Sequence, residues 1–138
     1  MTKLILQNLG AILLSIIVAI TLLAGIEWIG VILHPFPADF AGTREEVMQH
    51  VANYPAFGLF VGGIGWAITI FTATWLATRL SSNRRPAFGI GIGLVLLSGA
   101  IFNMTMLPYP LWYWILCLIT LPSGIYIGVR LGAHNSPR

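Results

Sequence analysis

The chain has 138 residues, of which 57% are hydrophobic and only 8% charged. Water-soluble domains carry about a quarter charged residues, so a surface this poor in charge is built for lipid, and a soluble enzyme or a nucleic-acid-binding domain is excluded. The net charge of +3 comes from basic residues at helix ends, where membrane topology accounts for them.

These figures predict one all-α domain over residues 1–138. It is a polytopic membrane protein with four transmembrane helices and a short amphipathic helix in its first outer loop. The first apolar run, Leu4 to Leu33, holds a single charged residue, Glu27. A bilayer core is spanned by roughly 20 apolar residues, so the run is a membrane helix with length to spare. Secretory signals have apolar regions of only about 7–15 residues, and Ile26 stands where a lipoprotein would carry its cysteine. The segment is therefore read as a retained helix.

His34-Pro35-Phe36-Pro37 ends this helix, because proline lacks an N–H and disfavours helix in the residue before it. An outer loop over 34–55 follows, with a surface helix expected from Arg44 to Asn53. Thr43 and Glu46 have capping-box spacing. Val47, Met48 and Val51 mark one face, and Glu45, Glu46, Gln49 and His50 the other. That division suits a helix lying along a membrane surface.

The second membrane helix is expected over about 56–80. Gly58, Gly62, Gly63 and Gly65 crowd its first half, and Thr69, Ala73 and Ala77 continue the stripe from Gly65. A basic link, Ser81 to Arg85, leads to the third helix, about 86–107, which opens on Pro86, a good first-turn residue. Gly89 and Gly93 share one of its faces; Gly91, Gly99 and Asn103 lie near another. After the turn Pro108-Tyr109-Pro110, the fourth helix runs over about 111–131. Pro122 inside it predicts a kink. Gly124, Gly128 and Gly132 recur at four-residue steps. The tail, Ala133 to Arg138, is expected to be loose.

Basic residues give the orientation. With the N-terminus inside, Lys3, Arg79, Arg84, Arg85, Arg130 and Arg138 are cytoplasmic and only Arg44 is outside. Both termini are then cytoplasmic, in a bacterial inner membrane. Trp28, Tyr54, Tyr109, Trp112, Tyr113 and Trp114 gather at the outer interface as an aromatic belt.

Small residues at four-residue spacing let helices approach closely in lipid. Gly58, Gly62, Gly65, Gly89, Gly93, Gly124, Gly128 and Gly132 are accordingly helix-packing positions, within one bundle or against a second subunit. Glu27 is either a helix clamp or a binding group, since ionisable residues within membrane helices are costly and commonly functional. It shares a helix face with His34 and lies near the depth of Asn103, so these residues make a candidate polar pocket with a Glu27–Asn103 hydrogen bond, Gly30 leaving room beside it. Glu46 and His50 could face a metal or pair at the surface, but no compact ligand spacing is present. No nucleophile–base set is evident, so neither an enzyme nor a cofactor is expected. Cys117 lies in an apolar run and reads as a small buried residue.

Glu27-Trp28-Ile29-Gly30, the His34–Pro37 turn and Leu107-Pro108-Tyr109-Pro110-Leu111-Trp112 resemble segments of uncharacterised small bacterial four-helix inner-membrane proteins. The resemblance spans most of the chain and implies the fold and the membrane, without an activity. Two functions are compatible with these features. One is an accessory subunit packing against other membrane helices, or against itself, among membrane lipids. The other is a protein that binds or transports a small molecule, lipid or ion in an outward-facing pocket around Glu27.

Overall fold

A computed structural model describes residues 1–134. In chain order the elements are α1 (Thr2–Leu33), α2 (Arg44–Ala52), α3 (Ala56–Leu80), a 3-10 turn (Ser82–Arg84), α4 (Pro86–Met106) and α5 (Leu111–Ala133). No strand occurs among the described residues. Four helices, α1, α3, α4 and α5, are long and apolar enough to cross a membrane. Ala133 belongs to α5, so the tail expected to be loose starts later, and residues 135–138 lie outside the described residues. α5 continues through Pro122 from Leu111 to Ala133.

The bundle is built around α3, which packs against α1, α4 and α5. Its buried surface is made largely of small and hydroxyl side chains: Thr69, Ala73 and Ala77 on one line, and Ile70, Thr74 and Thr78 on the next. α1 meets it through Ala11, Ser15 and Ala19, its only buried residues. The large apolar side chains of α1, such as Leu13, Ile17 and Ile20, point outward. The molecule is therefore small inside and bulky outside. Lipid tails give large apolar side chains no reason to turn inward, and close helix approach favours small ones at the seams.

Glycine makes the tightest seam. A Cβ on Gly128 of α5 would stand 2.6 Å from the Phe71 carbonyl oxygen, and one on Gly132 would stand 2.9 Å from that of Trp75. Gly124 faces the Ala67 carbonyl at 3.0 Å in the same way. All three therefore pack inside this chain, against the α3 backbone. Gly89 and Gly93 do the same from α4, toward Thr74 and Thr78.

The end of the bundle holding the chain termini is stitched by hydrogen bonds. Gln7 Nε2 donates to the Leu80 carbonyl (3.1 Å) and the Ser82 N–H donates to Asn8 Oδ1 (2.7 Å). Arg79 and Arg84 both donate to the His134 carbonyl, at 3.2 and 2.9 Å. Ser81 Oγ donates to the Thr78 carbonyl and accepts from the Arg85 N–H. Asn83 holds a left-handed φ of 56° in this link, a conformation asparagine tolerates better than most residues. The opposite end is held by ring contacts and contains the cavity.

Candidate functional site

The site is assembled by the loop between α1 and α3. The His34 N–H closes α1 on the Gly30 carbonyl (2.8 Å), after which Pro35 and Pro37 turn the chain across the bundle. Glu46 then fixes the start of α2. Its Oε2 accepts from the Thr43 N–H (2.9 Å), the Thr43 hydroxyl (2.9 Å) and the Ala41 N–H (3.1 Å), while the Glu46 N–H donates to Thr43 Oγ1 (3.3 Å). This is the expected capping box with two added bonds, from the Ala41 N–H and the Thr43 hydroxyl. The Thr43 backbone bond, before the others, holds the Glu46 carboxyl below the usual carboxylate range. Glu46 is thus turned away from the surface pairing with His50 considered from sequence.

His50 turns the other way. Its ring stacks on His34 (centroids 4.2 Å apart, 27° between planes) and on Phe36 (4.3 Å, 22°), and Phe36 packs on Phe40 at 4.4 Å. Tyr54 meets His34 edge-on at 4.7 Å. Offset and edge-on ring pairs of this kind are favourable beyond the area they bury. They bind the loop to the end of α1. Burial, followed by the neighbouring His34, holds the His50 imidazole below its ordinary range and favours its neutral form. His50 therefore joins Val47 and Val51 on the inward face of α2, not the polar face to which its spacing assigned it.

Beneath this cap is a cavity of about 460 Å³, within the size range of small-molecule sites, about 300–1,000 Å³. α1 contributes Ile26, Glu27 and Gly30 to its wall, and His34 just past its end; α3 contributes Leu59, Gly62 and Trp66; α4 contributes Asn103, and Leu107 just past its end. Tyr54, Tyr109 and Tyr113 complete it. Glu27, His34 and Asn103 are thus brought to one cavity. The hydrogen bond expected between Glu27 and Asn103 is replaced by another: Asn103 Oδ1 accepts from the Tyr109 hydroxyl at 3.1 Å. The Glu27 carboxylate has no hydrogen bond within the described residues and is exposed, as is Asn103. Both line the cavity, from α1 and α4, and are exposed, so the cavity is reached from outside beside them. Burial first, then the negative charge of Glu27, pushes the Tyr109 hydroxyl up to about 12.

The six aromatics expected at the interface divide. Trp28 is 71% exposed and Trp112 is also exposed, as a belt requires. Tyr113 is only 5% exposed and stacks on Tyr109 at 4.6 Å. Tyr54, Tyr109 and Trp114 pack against the core. The tyrosines are cavity walls, because the loop and the α4–α5 turn fold over the bundle end.

The eight glycines expected to pack helices divide as well. Gly89, Gly93, Gly124, Gly128 and Gly132 do so, and Gly65 receives Ile26 of α1 (Cδ1 2.7 Å from its Cβ position). Gly58 instead seats Tyr54, whose ring lies 2.6 Å from where a Cβ would be. A Cβ on Gly62 would meet nothing within 4 Å, so Gly62 supplies cavity space, not a helix contact.

Several contributors carried no sequence signal that was used: Trp66, Phe36 and Phe40 line the cavity. Gly30, expected to leave room beside a Glu27–Asn103 bond, instead makes room for the Tyr54 hydroxyl, 2.6 Å from its Cβ position. The spacing of Gly30 from Glu27 marks it as a neighbour on the same helix face, which is the one clue available. Cys117 is buried and free. Among the described residues, no three His, Cys, Asp or Glu side chains converge so as to hold a metal ion. Comparison with known proteins gives no matching family, no matching characterised protein and no matching solved structure.

Proposed function

We propose that this chain is a small multi-pass protein of a bacterial inner membrane, with both termini cytoplasmic, that binds a small amphipathic molecule in an outward-facing pocket around Glu27, His34 and Asn103. It is a binding protein and not an enzyme. One observation carries this reading: a cavity of about 460 Å³, walled by aromatic and aliphatic side chains with a few polar groups at its opening. That is the composition expected of a site for a partly apolar ligand. The opening beside Glu27 and Asn103 suits entry from the outer leaflet. Binding is favoured over transport by the other half of the bundle, where glycine seams and the buried Thr74, Ala77 and Thr78 leave the helices in close contact.

The test is gentle extraction from the native membrane and native mass spectrometry of wild type and Gly62→Leu. A Cβ at Gly62 meets nothing within 4 Å and Gly62 lines the cavity, so a leucine there is placed to fill it. The expected result is a small-molecule adduct on wild type that Gly62→Leu loses. Identical adducts on both proteins would overturn the reading.

A second reading, an accessory subunit, draws support from α4. Gly91 and Gly99 lie on its exposed side, and a Cβ on either would meet nothing within 4 Å. Small exposed residues suit the approach of another membrane helix. Co-purifying membrane subunits in the same spectrum, with no small-molecule adduct, would favour that role.

A further inference from the structure

We infer that the cavity takes an organic cation with an apolar body, its charged group at Glu27 and its body among the aromatic rings. The inference rests on the binding reading above and assigns the ligand class. Charge is the first argument. Among the described residues Glu27 is the only carboxylate in the cavity wall, and no lysine or arginine lines it. The basic side chains are concentrated near the opposite end of the bundle, at Arg79, Arg84, Arg85 and Arg130. An anionic ligand would meet a single charge of its own sign and no counter-ion. A phospholipid would have to bring its phosphate to the same place.

The second argument is the unused bonding capacity of Glu27. A carboxylate offers about four lone-pair sites. Asn103 shares the cavity wall with it, but the side-chain hydrogen bond that Asn103 makes is the one its oxygen accepts from Tyr109, and among the described residues no side chain hydrogen-bonds to Glu27. Its acceptors are therefore left for a guest at the opening, where desolvation is partial.

The third argument is the wall. Phe36, Phe40, Tyr54, Trp66, Tyr109 and Tyr113 all contribute. Ring faces attract a cation through their quadrupoles and also cover apolar surface, so they suit both halves of such a molecule. The paired His34 and His50 rings are stacked on one another and add ring surface to the wall. Arg44, at the start of α2, is the basic residue of the cap and is not among the cavity's lining residues. The opening beside Glu27 and Asn103 meets the region where a membrane-dissolved cation would place its charge, with its body able to turn inward.

A pair of molecules alike in shape and different in charge tests this directly. 4-Butyl-N,N,N-trimethylanilinium and its uncharged isostere, 1-butyl-4-tert-butylbenzene, are titrated by equilibrium dialysis against the protein in zwitterionic nanodiscs. Empty nanodiscs give the partition into lipid, and circular dichroism checks the fold of each variant. The expected result is saturable binding of the anilinium, about tenfold or more tighter than the isostere. Glu27→Gln should abolish that preference, and its lack of a protein hydrogen bond means that the fold is retained. Gly62→Leu should abolish saturable binding of both molecules. Equal binding of the two by wild type, a preference that survives Glu27→Gln, or no saturable binding of the anilinium would each overturn the cation assignment. The binding reading fails on a different observation, an adduct pattern from native membranes that Gly62→Leu leaves unchanged.

Discussion

Tyr54 is held by what its neighbours lack. Its hydroxyl occupies the space beside Gly30 and its ring the space beside Gly58, each 2.6 Å from where a Cβ would stand. Tyr54 in turn supports His34, and through the His34–His50 stack it supports the cap. Adding a methyl group at Gly58 must therefore push the ring out of its seat. Gly58→Ala is expected to destabilise the fold by about 1–3 kcal/mol, as overpacking does, read as a loss of thermal stability in nanodiscs. The cause is local, so it should be removable: in a Tyr54→Ala background, Gly58→Ala should cost almost nothing. A penalty of the same size in both backgrounds would show that the ring is not the obstacle. The non-additivity of contacting residues makes this a cleaner measurement than either single change.

At the scale of the element, the four membrane-length helices differ in how they use small residues. Those of α5 touch backbone. Gly128 faces the Phe71 carbonyl and the Thr74 hydroxyl, so any side chain there must separate α5 from α3. Those on the outer side of α4 touch nothing, as at Gly91. The same substitution should therefore have opposite effects. Gly128→Ala is expected to cost about 1–3 kcal/mol or more. Gly91→Ala should be neutral, or stabilising by up to about 1 kcal/mol, because alanine is the better helix former. Reversible unfolding in mixed micelles would measure both. Loss of stability in Gly91→Ala would instead reveal a partner helix seated on α4, and would count for the accessory-subunit reading. Thr78 adds a detail to this packing. Its buried Oγ1 has no hydrogen-bond partner among the described residues and lies against Gly89. A weak Cα–H···O contact from a close-packed glycine is the compensation available there.

Over the whole molecule the two ends are built by different means. Polar bonds from Gln7, Asn8, Ser81, Arg79 and Arg84 close one end. Stacked rings roof the other, above a cavity reached from outside beside Glu27 and Asn103. The proposed orientation puts the ring-roofed end outside the cell. Labelling with a membrane-impermeant maleimide tests it, because the native thiol, Cys117, is buried. In intact spheroplasts, Asp39→Cys should be labelled and Asn83→Cys should not, until the membrane is lysed. The reverse pattern would turn the protein over and place the cavity on the cytoplasmic side.

The helices and their limits, to within a few residues, are legible in the order of the amino acids. They are so because a long uncharged apolar run has few alternatives to a helix of membrane length, and because proline-rich turns and the Thr43–Glu46 box are local in origin. The same order also put Glu27 and Asn103 at similar depth and Glu27 and His34 on one helix face, since both follow from counting along straight helices. Which face of each helix turns inward was decided only by the tertiary structure. In a water-soluble protein, polarity marks the outside. In this chain the exposed helix faces are as apolar as the interior, so Ala11, Ser15 and Ala19 were inconspicuous in α1 although they are its buried residues. For the same reason the tyrosines read as a belt when three of them wall a cavity, and Gly62 read as a helix contact when it provides space. The partner of Asn103 was equally a tertiary matter. Tyr109 reaches its side-chain oxygen from the turn between α4 and α5, and the path of that turn is set by how the two helices pack.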